Sequence, residues 1–362
     1  MKYSFLGIVL CLITHSVMAE PLGLPPLPVP ADNMQSDQKI ALGDRLFNDT
    51  RFSATGEVSC ATCHDSGKAF TDLLPVSEGI NGLKGTRSAP TVINAAYNRT
   101  QFWDGREPSL EAQSKQPFLN PVEMALPDHD AIIKIIRGDP EYVASFKAVY
   151  DVSAANINID HVAMAIAAFE RAQISGDSPF DRFYYVGDTA ALTDAQKRGL
   201  EVYLNEGRCV SCHVIEQTSA LFTDHLFHNI GVGFKTVKGK IHTIAEEFIK
   251  SKRKGANVDF AVLSSSNVSQ LGRFAITEDL TDMGAFKTST LRNIDKTAPY
   301  MHDGSLETLE DVVTFYNNGG RLAETDPLDD FLSGGIRPLN LTDQQQQDLV
   351  EFMKALTSPE YQ

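Results

Sequence analysis

Two pentapeptides, Cys60-Ala61-Thr62-Cys63-His64 and Cys209-Val210-Ser211-Cys212-His213, constrain this chain more than anything else in its 362 residues. In a CxxCH each cysteine can add to a vinyl group of haem, and the histidine after the second cysteine faces the iron as proximal ligand. A thioredoxin-like redox pair is the competing reading, but it has no use for the histidine, and here the histidine occurs twice. A zinc site would have to gather four ligands from two distant motifs. Two complete motifs imply two covalently bound haem c groups. The chain has five cysteines. Cys11 lies in the leader and the motifs use the rest, so no thiol remains for a disulfide framework.

The leader explains how haem attachment is reached. Lys2, the apolar run 3–17 and the small residues of Val17-Met18-Ala19 read as a secretory signal peptide, residues 1–19, cleaved after Ala19. The run is short for a bilayer span, with an uncleaved anchor as the alternative. Leu10 stands where a lipoprotein site at Cys11 would want a small residue. Export places the mature protein in the periplasm. No later segment is apolar for long enough to cross a membrane. The net charge of −15 argues against nucleic acid, whose phosphates want a basic surface, and suits docking partners that offer a basic patch.

Periodicity predicts a mostly α fold. Residues 20–35 form a proline-rich extended arm. Ser36 caps a helix with Ile40, Leu42, Leu46 and Phe47 near helical spacing. Thr193 caps a second helix with Leu200, Val202, Tyr203 and Leu204. SDQKIALGDRLF precedes the first haem motif as TDAQKRGLEVYL precedes the second, which indicates a duplicated unit with a period near 150 residues. The stretch 160–173 is an amphipathic helix closing the first half, and 342–356 closes the second. Ser178-Pro179 and residues 186–188 mark the linker. The expected division is 36–185 and 186–362, two cytochrome c-like domains joined at an interface with long loops. Residues 236–270 are polar and read as a mobile insertion.

What lies opposite each iron separates a carrier from a catalyst, because a filled sixth position transfers electrons while an open one binds peroxide or oxygen. The loop 73–87 after the first motif contains neither His nor Met. The first haem is therefore expected to be five-coordinate, with Met124 or His129 as the side chains that could close it.

QFWDGR at 101–106, Gln113, NPVEM at 120–124, LRN at 291–293 and APYMHDG at 298–304 resemble the di-haem cytochrome c peroxidase and MauG family, from about residue 36 to the end. The resemblance implies a peroxide-binding haem in the N-terminal domain and a low-spin haem in the C-terminal one. Many peroxidases of the family carry a distal histidine in the region that matches GINGLKG at 79–85, where Ile80 stands here. Fourteen residues after His302 they place a methionine on the second iron. This chain has Tyr316, as MauG-type proteins do, so the resemblance implies His213 and Tyr316 as the ligands of haem 2 and His64 alone on haem 1. Met283, Met301 and His302 are the rival ligands. Tyrosine is a hard oxygen ligand that favours a higher iron oxidation state.

By the same resemblance Trp103, the only tryptophan, relays between the haems. Glu123 is the distal acid/base, Gln113 a hydrogen-bond donor and Pro117 a restriction on access. Thr297 and Pro299 match carbonyl ligands of a calcium ion, with Ser88 where the family has asparagine. Arg87 and Arg292 are candidate propionate partners.

The resemblance implies an oxidoreductase that uses hydrogen peroxide, or oxygen plus electrons, to oxidise tryptophan residues of a separate protein. In MauG this completes the tryptophan tryptophylquinone of methylamine dehydrogenase, so the implied partner is the β-subunit precursor of that enzyme. MauG's surface tryptophan, two residues before the second haem motif, is Gly207 here, with Tyr203 one helical turn away as a substitute. The rivals are a peroxidase fed by a small cytochrome or cupredoxin, and a di-haem electron carrier without catalysis.

Overall fold

The computed structural model describes residues 21–362 apart from 324 and 328, so the expected signal peptide lies outside the described residues. The chain is mostly helical. In the first half, α1 (Asp37–Asn48), α2 (Asp130–Gly138), α3 (Pro140–Tyr150) and α4 (Ile159–Arg171) surround a core of Leu42, Leu46, Phe52, Phe118, Ile132, Ile136, Phe146 and Ile166. In the second half come α5 (Asp194–Leu204), α6 (Ile241–Arg253), α7 (Val258–Ser264), α8 (Leu309–Asn317) and α9 (Asp343–Lys354). Here α5, α8 and α9 close around Phe180, Leu200, Tyr203, Phe222, Val313, Phe315, Leu349 and Phe352. Among the described residues the one regular strand pair is two residues long, Phe227–His228 antiparallel to Phe286–Lys287.

Caps and one glycine per half set the helix pairs that carry this fold. The Ser36 hydroxyl accepts from the Lys39 N–H at 3.2 Å, and Thr193 and Gln196 cap each other reciprocally. Where α1 crosses α4, a Cβ on Gly43 would stand 2.0 Å from the Ala165 carbonyl oxygen. Where α5 crosses α9, a Cβ on Gly199 would stand 1.9 Å from that of Asp348. The two halves therefore repeat one helix crossing at backbone-to-backbone distance, the structural form of the repeat seen before each CxxCH.

One expectation is corrected. Residues 236–270 are not a mobile insertion: Val237 just ahead of α6, Ile241 and Phe248 of α6, and Val262 and Leu263 of α7 are buried in a third core with Leu271, Phe274 and Met283, and Val122 packs against it. Charged residues made this segment look polar because they cover only the outer faces of two short helices. The proline-rich arm is docked on the rest of the protein. Leu24 is buried, the Gly23 carbonyl accepts from Arg292 at 2.6 Å, and Asn33 is buried against α4, donating to the Met164 carbonyl at 3.0 Å. The stretch read as linker is also structured: Phe180 is fully buried in the second core, followed by a π-helical turn, Arg182–Val186.

Substituting Gly199 by valine should force α9 away from α5 and cost on the order of 3 kcal/mol, the upper range for overpacking a tight contact. Thermal unfolding would read this as a clearly lowered midpoint, whereas an unchanged midpoint would contradict the crossing.

Candidate di-haem site

Each CxxCH folds into one tight turn, with the His64 N–H donating to the Cys60 carbonyl at 3.0 Å and the His213 N–H to that of Cys209 at 2.9 Å. Each imidazole is then held through its second nitrogen. His64 Nδ1 lies 3.2 Å from the Phe70 carbonyl, and His213 Nδ1 lies 2.9 Å from that of Phe222. A carbonyl can only accept, so the proton sits on Nδ1 and the Nε2 lone pair is left free for a metal. Burial pushes both imidazole pKa values down, which keeps the rings neutral.

Both supporting carbonyls come from residues in the left-handed region, Phe70 at φ 56° and Phe222 at φ 52°. Equivalent side chains hold the two loops. Thr71 and Thr223 Oγ1 accept from the Leu73 and His225 N–H groups at 3.3 and 3.0 Å, and Asp72 and Asp224 accept from Leu74 and Leu226 at 2.9 and 2.8 Å. A second internal repeat, Phe-Thr-Asp at 70–72 and 222–224, was the sequence signal for this device, and the helix repeat alone does not reveal it.

One continuous cavity is lined by Cys60, Cys63 and His64 in the first half and by Cys209, Cys212 and His213 in the second. The four cysteines form no disulfide. Burial raises the thiol pKa of Cys60, and takes Cys63 and Cys209 up to about 12. A reactive redox pair needs the opposite shift. Among the described residues the one cluster of three metal-ligating side chains is Cys212, Asp224 and His228, so the four cysteines do not gather as a zinc site. Half-buried cysteine pairs beside a free imidazole nitrogen, repeated in each half around an apolar cavity, fit two covalent haems.

On the first side of this cavity stand Glu123, Gln113, Pro117 and Trp103. The Glu123 carboxylate has no hydrogen-bond partner among the described residues. Burial pushes its pKa up to about 8, Asp259 adds to the shift and Arg106 opposes it. Its backbone is pinned from Ile80, whose N–H donates to the Glu123 carbonyl at 2.9 Å, and from Gly79, where a Cβ would stand 2.0 Å from the Val122 carbonyl oxygen. Ile80 itself is buried in the first core. His129 does not line the cavity and binds the Lys115 carbonyl at 2.9 Å, whereas Met124 is buried and does line it.

On the second side Tyr316, near the end of α8, lines the cavity, and burial raises its phenol pKa. Its hydroxyl makes no hydrogen bond to a described residue. Met283 is buried in the third core, away from the cavity. His302 lines the cavity, but its Nε2 lies 3.0 Å from Gln270 Oε1 and its ring stacks on Phe286 at 3.6 Å. Met301 also lines it. Thr297, Pro299 and Ser88 also line it. The Thr297 and Pro299 carbonyls accept no hydrogen bond from a described residue, while the Ser88 carbonyl accepts from Trp103 Nε1 at 2.9 Å.

Trp103 stands where the halves meet. Its carbonyl accepts from the Lys287 N–H at 2.8 Å, and the Ser88 N–H donates to the His302 carbonyl at 2.8 Å. Beside it, Asp104 is fully buried between Arg87 at 2.9 Å and Arg106 at 3.0 Å, and Arg106 reaches Asp259 of α7 at 2.6 Å. Burial opposes ionisation of Asp104, but the two guanidiniums outweigh it and bring its pKa down to about 2. Sequence reasoning missed Asp104 and Asp259, since no local pattern places residue 259 next to residue 106.

Two readings fail on geometry. Arg292 is not free for a haem propionate. It is buried against Asp181 at 2.9 Å and donates to the Ala220 and Gly23 carbonyls, and it does not line the cavity. Gly207 is buried with Val202's carbonyl oxygen 2.8 Å from where a Cβ would lie. Tyr203 is 1% exposed and its hydroxyl donates to the His213 carbonyl, so it offers no surface exit.

The family model described as di-haem cytochrome c peroxidase matches residues 37–190. A cytochrome-c peroxidase of Denitromonas iodatirespirans, IdrP1, is 35% identical over 94% of this chain and 87% of its own length. The methylamine utilization protein MauG of Methylorubrum extorquens is 32% identical over 91% and 81%. Among solved structures, a MauG-like protein associated with microbial copper homeostasis superposes with a TM-score of 0.77 at 34% identity, covering 95% of this chain and 98% of that one.

Proposed function

Because this chain belongs to the di-haem cytochrome c peroxidase family, we propose that it is a periplasmic oxidoreductase of the MauG type, using hydrogen peroxide, or oxygen plus electrons, to oxidise tryptophan side chains of a separate protein. The β-subunit precursor of methylamine dehydrogenase is the candidate substrate. The observation that carries this reading is the difference between the two ends of the cavity. An unpartnered carboxyl, Glu123, lines the first, and a phenol, Tyr316, lines the second.

Bound haem supplies one-electron redox chemistry and an iron able to bind peroxide. Cys60 and Cys63 would hold one haem with His64 as its ligand, and Cys209 and Cys212 the other, with His213 and Tyr316. Glu123 takes a proton from peroxide and returns it to the departing oxygen. Gln113 donates a hydrogen bond into the same space, and Pro117 narrows it. Trp103, tied to both halves through Ser88 and Lys287, is the relay between them. The unused Thr297 and Pro299 carbonyls, with Ser88, suit a calcium ion, which prefers neutral and anionic oxygen ligands.

A second reading, a peroxidase fed by a small cytochrome or cupredoxin, is favoured by the names of relatives such as IdrP1. One experiment separates the two. The holoprotein is given peroxide with either the β-subunit precursor or a reduced donor. The MauG-type reading expects quinone absorbance to appear in the precursor faster than the donor is consumed. Donor turnover without any protein oxidation would replace it with the peroxidase reading.

The proton role of Glu123 has its own signature. Its pKa lies above the ordinary carboxylate value, so the acid form dominates at neutral pH and the base form appears as pH rises through about 8. The rate of peroxide consumption should therefore climb across that window and level off above it. Glu123→Gln should remove the climb and lower the rate by about 10²–10⁴-fold, the usual weight of a positioned acid/base. A stopped-flow pH profile unchanged in the variant would rule the role out.

A further inference from the structure

A partner protein cannot enter the cavity, so any electron it exchanges has to cross the protein between the cavity and the surface. Ring contacts mark such a crossing in the second half. The Phe222 carbonyl holds His213 at 2.9 Å. The Phe222 ring lies 5.2 Å from Phe180, and Phe180 stacks on Tyr184 at 5.2 Å with an interplanar angle of 24°. Tyr184 is 43% exposed, and Val186 beside it is 66% exposed. In the first half the rings near His64 are Phe47, Phe169 and Phe70. Among the described residues that set reaches no tyrosine or tryptophan.

We infer that Tyr184 is the surface point at which a macromolecular donor passes electrons into the second half of this protein. The inference rests on the peroxide-driven function proposed above, under either choice of partner. Phenylalanine is too hard to oxidise to hold a charge, so Phe180 and Phe222 serve as a path, and the phenol at its end is the group that changes redox state. Tyr185 packs 5.2 Å from Tyr184, but its hydroxyl donates to the Glu216 carbonyl at 3.1 Å, which cannot take a proton. Tyr184 faces water, which can. The π-helical turn Arg182–Val186 presents the pair, and it is pinned by the Arg182–Asp177 ion pair at 2.7 Å. Such wide turns are rare and concentrate at functional positions.

One electron leaves Tyr184 inward and its phenolic proton goes to water, giving a neutral tyrosyl radical. The donor returns one electron and water the proton. Two such transfers, with two protons, reduce one hydrogen peroxide to two waters.

The test adds peroxide to the diferric holoprotein without partner, in the presence of a nitroso spin trap. Peroxide loss is followed in the same sample and the trapped site is read by peptide mass spectrometry. An adduct on the peptide carrying Tyr184 is expected, lost in Tyr184→Phe and regained in Tyr184→Trp, which restores an oxidisable ring. Peroxide consumed with no adduct at Tyr184, or an adduct yield unchanged in Tyr184→Phe, overturns the inference and leaves the proposed function standing. Peroxide left untouched overturns the proposed function and this inference with it.

Discussion

Two hydrogen bonds, from the proximal imidazoles to the carbonyls of Phe70 and Phe222, fix what the rest of the structure is built to hold. A covalent haem is anchored by its cysteines, but its iron chemistry depends on a neutral histidine presented with the correct nitrogen. That presentation requires a carbonyl turned back toward the ring, hence a phenylalanine in the left-handed region in each half. The turned loop in turn needs the threonine and aspartate that tie its backbone down. The helix crossings at Gly43 and Gly199 supply the rigid frame behind each loop.

The two halves use one plan and diverge only where chemistry requires it. Trp103 and His302 occupy matching turns. Phe102 and Met301 precede them at φ 65° and 76°, Gly105 and Gly304 follow at 66° and 62°, and a bridge closes each turn. The turns meet at Ser88, which accepts from the indole and donates to the His302 carbonyl. Around this junction the Arg87–Asp104–Arg106–Asp259 cluster binds the first half to α7. Removing one charge from a buried set of this kind leaves its partners uncompensated, at a cost of roughly 3–5 kcal/mol. The cluster therefore holds Trp103 and Glu123 in register with the second half.

Much of this was legible in the sequence. The CxxCH motifs and the capped helices before them are local patterns with a mechanical meaning, whereas the register from His302 to Tyr316 came from the family resemblance alone. Other features were not. The segment 236–270 hides its apolar residues among lysines and glutamates, so composition masked two amphipathic helices. The contacts of Arg106 with Asp259 and of Arg292 with Asp181 and Gly23 join residues far apart in the chain, where no periodicity reports. Tyr203 looked like a surface substitute for a missing tryptophan because its helix is amphipathic. Burial against Phe222 and Phe352 is decided by the second half's packing, which the sequence alone does not display.

The proposed chemistry requires an open metal position beside Glu123 at one end of the cavity and a position closed by the Tyr316 oxygen at the other. Electron paramagnetic resonance of the diferric holoprotein tests it most directly. The account predicts one high-spin and one low-spin ferric signal in equal amounts, with the low-spin signal alone lost in Tyr316→Phe. Two low-spin signals in the native protein, or a low-spin signal indifferent to Tyr316→Phe, would contradict it.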